Sequence, residues 1–104
     1  MSVTYDEGGA ISTLRFGAEV GIRDALEVKR ILLHALAAGK ELHVNVENAT
    51  ELDITVFQLL RAAGSQAQAA NQRIYLEGKV AESVSSAYVE AGLGTFPLDV
   101  QPGH

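Results

Sequence analysis

The sequence has no cysteine and few basic residues, and each shortage excludes a class of function. Without cysteine there are no disulfides, no thiolate nucleophiles, no zinc–thiolate sites and no iron–sulfur clusters. Eight Lys and Arg residues against thirteen Asp and Glu residues give a formal net charge of -5 and a pI near 5.0. This balance leaves no basic patch for a nucleic-acid backbone or an anionic membrane surface. No apolar run approaches the roughly 20 residues that a membrane-spanning helix needs.

The composition is that of an ordinary globular domain. Hydrophobic residues make up 47% and charged residues 20% of the 104 residues, which is too apolar for a disordered chain. A chain of this length buries one modest core, so a single domain over residues 1–104 is predicted. The N-terminus has neither the basic segment nor the apolar run of a signal peptide, and we expect a cytoplasmic protein.

The N-terminal segment predicts a β-hairpin. Residues 2–6 alternate as a short strand, Glu7-Gly8-Gly9 is a turn, and residues 10–16 form the second strand. Alternation in the second strand places Ala10, Ser12, Leu14 and Phe16 on one face and Ile11, Thr13 and Arg15 on the other.

After the hairpin, the hydrophobic period switches between that of a helix and that of a strand. The predicted segments are a helix over 22–38, a strand over 42–46, a helix over 54–71, a strand over 73–76, a helix over 80–91 and an extended segment over 96–100. Such alternation favours parallel strands joined by right-handed crossovers. The predicted fold is therefore α/β, with a mixed, mostly parallel sheet of about five strands after the hairpin and helices mainly on one face.

The first predicted helix has its apolar residues at helical spacing. The stripe predicted to face the core consists of Ile22, Leu26, Leu33 and Leu36, widened by Ala25, Val28 and Leu32. Gly39 directly follows the helix, at the position where a left-handed residue commonly ends one.

The loop over residues 45–53 is the most polar in the chain and follows the third strand. In open α/β sheets, functional groups lie beyond the carboxyl ends of the strands. Asp53 directly precedes a helix, where it is either an N-cap for the first free amides or a carboxylate that orients a ligand or a hydroxyl. Thr50 has the same two interpretations, since it could begin a capping box with Asp53.

The sequence shows no catalytic or metal centre. His34, His43 and His104 do not cluster, and each is expected at the surface or its boundary. No serine has a histidine at a recognisable triad spacing. The acidic loop matches neither a calcium loop nor a histidine-pair site, and no Gly-rich phosphate cradle is present. We therefore expect no catalytic residue, no metal and no cofactor, and a small binding module rather than an enzyme.

Together, these segments resemble the STAS domain, named after sulphate transporters and anti-sigma factor antagonists. The family hallmark is an apolar strand, a polar loop with a threonine, an apolar residue, an aspartate and then a leucine-rich helix. Residues 42–46 correspond to the strand, Thr50 to the threonine, Leu52 to the apolar residue and Asp53 to the aspartate. The likeness covers nearly the whole chain.

The sequence departs from the family pattern directly after the aspartate. In anti-sigma factor antagonists of the family, that residue is a serine or threonine that a partner kinase phosphorylates. Ile54 occupies the position here and has no hydroxyl, so the usual phospho-switch cannot operate. Thr55 is the nearest hydroxyl and the one candidate for modification, but a step of about 100° along the helix turns it to another side. An exposed Ile54 or Phe57 would be an apolar anchor for a partner, whereas a buried one would belong to the core.

The resemblance implies a regulatory protein-interaction module that binds through residues 47–58. The predicted partner-binding residues are Glu47, Asn48, Thr50, Asp53, Ile54, Thr55, Phe57 and Gln58. The implied partner is an anti-sigma factor of the kinase type or a chemotaxis-type signalling protein. Two alternatives stay open: an accessory subunit on the ATPase of an ABC-type lipid transporter, and a small-ligand sensor that uses the 45–53 loop. A homodimer is also compatible with the sequence.

Overall fold

The computed structural model describes residues 3–92, and its elements follow the predicted order. The strands are β1 (Val3–Gly8), β2 (Ile11–Phe16), β3 (Glu19–Val20), β4 (Glu41–Asn45), β5 (Glu51–Leu52) and β6 (Ile74–Glu77). The helices are α1 (Ala25–Ala38), α2 (Ile54–Ala69) and α3 (Glu82–Glu90), and a 3-10 turn (Ile22–Asp24) precedes α1. The predicted extended segment over 96–100 lies outside the described residues.

The main sheet is mixed and mostly parallel, which confirms the predicted α/β class. Its strand order is β1-β2-β4-β6. Strand β1 is antiparallel to β2, whereas β2 with β4 and β4 with β6 are parallel. The two-residue strands β3 and β5 form a separate parallel pair. Neither strand of this pair was predicted, because two residues are too few to show a period; β5 lies within the segment predicted as a polar loop.

One face of the main sheet packs against the helices to form the core. Ser12, Leu14 and Phe16 of β2 lie on one face as predicted and are all buried, whereas Ala10, predicted on the same face, is exposed in the turn. The parallel register places Leu42 and Val44 of β4 beside Ser12 and Leu14 on the same face. Buried residues of all three described helices join these sheet residues in one hydrophobic cluster. The layer of helices therefore lies on this face of the sheet.

The hairpin turn lies one residue later than predicted. Gly8 still pairs with Ile11, so the turn is formed by Gly9 and Ala10. Gly9 has a φ of +50°, a left-handed conformation that glycine adopts without steric cost.

The orientation predicted for α1 was right only in part: Ala25, Val28 and Leu32 of the predicted stripe are buried and Leu36 packs against the core, but its other three residues are exposed. The helix buries Ala25, Val28, Ile31, Leu32 and Ala35. Ile22, Leu26 and Leu33, predicted to face the core, are 64%, 77% and 51% exposed. The helix is apolar over most of its circumference, so periodicity alone supports two different stripes. Alanine at two inward positions allows close packing on the core, and this selects the observed side. The predicted end of the helix is confirmed, since Gly39 adopts the left-handed conformation as its C-cap.

The opposite face of the main sheet carries charged side chains around a buried histidine. His43 is only 4% exposed, so its predicted surface or boundary position was wrong. Its Nε2 atom lies 2.7 Å from Oε2 of Glu41, and its Nδ1 atom lies 3.3 Å from Oε2 of Glu77. The ring of Tyr75 on the neighbouring strand contacts it edge-on, with the centroids 6.0 Å apart. Glu41, Glu77 and Tyr75 thus surround the imidazole. Alternation within one strand cannot predict this burial, because two of these residues lie on a neighbouring strand.

Candidate functional site: the 46–53 loop and the start of α2

The loop over residues 46–53 joins β4 to α2 and is tied to the chain segment that precedes α1. The Thr50 amide donates a hydrogen bond to the Ala18 carbonyl at 2.8 Å. The Asp53 amide donates to the Val20 carbonyl at 2.9 Å. The second half of the loop is therefore fixed by backbone bonds to a distant part of the sequence.

Side chains fix the same loop from two further directions. Asn45 accepts a hydrogen bond from the Glu47 amide at 3.0 Å and donates through Nδ2 to Oε1 of Glu77 at 2.9 Å. The Ser83 hydroxyl of α3 donates to the Thr50 carbonyl at 2.8 Å. The loop is thus preformed, with contacts to β6, to α3 and to the residues around β3.

Gly78 permits the close approach of the loop to the end of β6. Its φ is +86°, and a Cβ atom built there would lie 2.9 Å from the Cβ atom of Glu47. Such a distance is shorter than real Cβ contacts, so any other residue here would force the loop and the end of β6 apart. Ala49, which is fully buried, anchors the middle of the loop in the core.

Asp53 is the N-cap of α2, as one of its two interpretations predicted. Its backbone is extended, with φ at -65° and ψ at 148°. Its Oδ1 atom accepts a hydrogen bond from the Thr55 amide at 2.9 Å. The capping-box interpretation of Thr50 was wrong, because the Thr50 hydroxyl instead donates to the Ala18 carbonyl at 3.1 Å.

The first turn of α2 separates one exposed from one buried apolar residue. Ile54, the first residue of the helix, is 46% exposed. Phe57 is 2% exposed and packs its ring edge-on against Tyr88 of α3. The sequence allowed each residue to be either an exposed anchor or part of the core. Ile54 is exposed, and Phe57 belongs to the core. A partner at this surface can therefore touch the Ile54 side chain but not the Phe57 ring.

The remaining predicted partner-binding residues lie in the 46–53 loop and in the first two turns of α2. Asp53 and Thr55 are partly buried. The exposed residues of this region, which we call the loop–helix surface, are Glu47, Asn48, Thr50, Glu51, Ile54 and Gln58. Glu51 was missing from the predicted set. Its position in the acidic loop was the only sign of its exposure, because the pairing of β5 with β3 could not be predicted from the sequence.

The loop–helix surface is negatively charged. The register of β3 and β5 sets Glu51 beside Glu19, and like charges at paired positions repel each other. Within residues 3–92, no ion pair neutralises Glu19, Glu47 or Glu51. This surface is therefore suited to a partner that brings positive charge.

Two kinds of feature are not found among the described residues. Within residues 3–92, no group of three or more His, Asp and Glu side chains is arranged to hold a metal ion. No helix in that part of the chain combines the length and the apolar character needed to cross a membrane.

No protein-family model and no curated protein matches the sequence, whereas solved structures match the fold. The phosphorylated form of the Bacillus cell fate determinant SpoIIAA aligns over 96% of this chain and 92% of its own, with a TM-score of 0.70 and 14% identity. The unphosphorylated form of the anti-sigma factor antagonist SpoIIAA aligns over 88% and 98%, with a TM-score of 0.64 and 11% identity. A DUF3478-family protein with a SpoIIAA-like fold from Shewanella loihica aligns over 95% and 81%, with a TM-score of 0.56 and 13% identity. The chain therefore has the STAS-like fold that its sequence resembles.

Proposed function

We propose that the chain is a non-enzymatic regulatory module that binds a protein partner through the loop–helix surface. The partner is an anti-sigma factor of the kinase type or a related signalling protein, in the cytoplasm of a bacterium. The observation that carries this proposal is the 46% exposure of Ile54 at the first residue of α2. An apolar side chain at the edge of a preformed acidic loop gains little from folding, but it gains burial from a partner.

The surface around Ile54 supports binding in two further ways. Glu47 and Glu51 attract a basic partner and favour its approach in one orientation. The hydrogen bonds that fix the loop before binding reduce the conformational entropy that association would otherwise cost. The likeness in fold to an anti-sigma factor antagonist supports the class of partner.

Partner binding of this kind is independent of phosphorylation at the position after the capping aspartate, since Ile54 has no hydroxyl. Thr55 is a poor substitute for a phosphoacceptor. Its side chain is partly buried, and its amide is held by the Asp53 carboxylate, which would repel a phosphate group. We therefore propose a constitutive binding surface.

Affinity capture from the native cell lysate tests the proposal when three forms of the protein are compared. These are the unmodified chain, Ile54→Ser at the proposed anchor, and Val89→Ser at an exposed residue of α3 as the matched control. We expect the unmodified chain and Val89→Ser to retain the same anti-sigma factor or signalling protein, and Ile54→Ser to lose it. The intact mass of the recovered chain should show no added phosphate.

Each other outcome contradicts a defined part of the proposal. Equal recovery of the partner by Ile54→Ser would exclude the loop–helix surface. A transporter ATPase recovered in place of a regulator would support the accessory-subunit alternative. A phosphate group mapped to Thr55 would show that the switch has moved by one residue instead of being absent.

A further inference from the structure

The outer side of α1 carries apolar side chains that the core does not use. Leu26 and Leu33 are 77% and 51% exposed, and their spacing of seven residues places them two turns apart on the same side of the helix. Ile22, in the preceding 3-10 turn, is 64% exposed and lies at one end of this line. We call these three residues the α1 stripe. Single exposed apolar residues are ordinary, whereas several aligned along one helix mark a contact surface.

Cations accompany the α1 stripe. Lys29 and Arg30 occupy the turn between Leu26 and Leu33. Arg30 is bound within the helix by Glu27, through Nε at 3.0 Å and Nη2 at 2.6 Å. Lys29 has no ion-pair partner among residues 3–92.

Arg23, next to Ile22, extends this positive character to the end of the stripe. It too has no ion-pair partner among residues 3–92. The neighbouring Asp24 carboxylate, which accepts a hydrogen bond from the Gly21 amide, keeps its charge and offsets part of this positive charge. Arg23, Lys29 and Arg30 against Asp24 and Glu27 leave the stripe and its flanks with a formal charge of +1, on a chain with a net charge of -5.

A second copy of the chain fits this surface poorly. An antiparallel pair of α1 helices that sets Leu26 against Leu33 is centred between residues 29 and 30. It would therefore bring Lys29 of one copy against Lys29 of the other, and like charges facing each other in a desolvated contact are unfavourable. A parallel pair would set Lys29 of each copy beside Arg30 of the other, which Glu27 already pairs. Neither arrangement offers Lys29 an acidic group that is free to pair with it.

We propose that the α1 stripe binds an amphipathic helix of a protein partner, with acidic residues flanking the apolar side of that helix. Leucine side chains of the partner would cover Leu26 and Leu33, and its acidic residues would neutralise Lys29 and Arg23. The 14 residues of α1 give a length of about 21 Å, enough for four turns of a partner helix. This surface is additional to the loop–helix surface, and its partner need not be the same protein.

Synthetic helical peptides of about 16 residues, which match the length of α1, test the proposal by fluorescence anisotropy. The probe has leucine along one side and glutamate flanking it, and the control peptide has lysine in place of every glutamate. We expect saturable binding of the glutamate peptide that weakens as salt is added, and no binding of the lysine peptide. The double variant Leu26→Ser with Leu33→Ser should weaken the affinity at least tenfold, and Lys29→Glu should also weaken it.

Matched variants separate this surface from the one proposed for the function. Val89→Ser and Ile54→Ser should leave the affinity for the glutamate peptide within twofold of the unmodified chain. If the proposed function is wrong, Ile54→Ser will capture the partner as well as the unmodified chain does, and binding of the glutamate peptide will be unaffected. If the present proposal is wrong, the glutamate peptide will not bind, and capture of the partner through the loop–helix surface will be unaffected. Circular dichroism of each variant shows whether the fold is retained.

Four results would overturn the proposal. The first is no saturable binding of the glutamate peptide, and the second is equal binding by the Leu26→Ser, Leu33→Ser variant. The third is a stable dimer in sedimentation velocity that this double variant abolishes, which would assign the stripe to a second copy. The fourth is binding to phosphatidylglycerol vesicles that depends on Leu26 and Leu33, which would assign it to a lipid surface.

Discussion

The rings of Phe57 and Tyr88 meet edge to face, with their centroids 4.8 Å apart and their planes at 78°. This pair joins α2 to α3 within the first two turns of α2. Ile54, three residues before Phe57, is 46% exposed, so one turn of helix serves both the core and the surface. The two residues should therefore respond in opposite ways to substitution.

Phe57→Ala should reduce the free energy of unfolding by about 3–5 kcal/mol, because it removes a buried ring and leaves a cavity beside Tyr88. Ile54→Ser should lower it by only about 1 kcal/mol, because about half of that side chain is exposed in the folded protein. Urea unfolding of both variants measures the contrast. A loss of several kcal/mol in Ile54→Ser would mean that Ile54 supports the fold and not a partner.

Asp53→Ala should lower the free energy of unfolding by about 1 kcal/mol, because the Thr55 amide loses its acceptor at the start of α2. Asp53→Asn is the matched control, since asparagine caps helices about as well as aspartate. The Asn variant should retain most of the stability in urea unfolding. A loss as large as that of the Ala variant would show that the negative charge, and not the hydrogen bond, is what stabilises the helix start.

Gly78→Ala should destabilise the protein more than Gly39→Ala. Both glycines have positive φ values, +86° and +72°, so alanine costs about 1–2 kcal/mol of backbone strain at either position. Only at Gly78 does the added Cβ atom also meet a neighbour, the Cβ atom of Glu47 at 2.9 Å. Thermal unfolding of the two variants isolates this contact. Equal losses would mean that the loop moves away from β6 at little cost.

The hairpin and the second helix could be predicted because the hydrophobic pattern of each is compatible with only one orientation. In β2, burial alternates strictly between Leu14 and its neighbours. In α2, the predicted first residue, Ile54, is the observed one, and the buried residues from Val56 to Ala67 recur at helical spacing. The Asp53 cap was also within reach, because capping depends on the residue type and on its position before the helix.

The α1 stripe and the surroundings of His43 could not be predicted, because both depend on contacts between distant segments. Apolar residues surround most of α1, and only packing decides that Ile31 is buried and Leu26 is exposed. The burial of His43 requires Glu77 of a strand that lies beside β4 in space but 34 residues away in sequence. The position of the loop–helix surface likewise depends on the pairing of β3 with β5.

The network around His43 makes stability depend on pH through Glu77. The hydrogen bond from Asn45 is the main cause that lowers the pKa of the Glu77 carboxyl below its usual 4.5, and partial burial opposes it. The contact with His43 and the charges of His43 and Arg15 lower this pKa further. Because the pKa is lower in the folded than in the unfolded chain, the ionised carboxylate stabilises the fold above pH 4.5. This contribution is lost as the pH falls through the pKa of the folded state.

Glu77→Gln keeps an oxygen acceptor for Asn45 but removes the titration. We expect the unmodified chain to exceed this variant in stability at neutral pH, and the difference to shrink as the pH falls below 4.5. Urea unfolding at neutral pH and at several pH values below 4.5 measures this difference. Asn45→Ala removes the main cause of the lowered pKa, so its difference from the unmodified chain should shrink over the same range. A difference that grows on acidification in both variants would show that the Asn45–Glu77 hydrogen bond does not favour the ionised carboxylate.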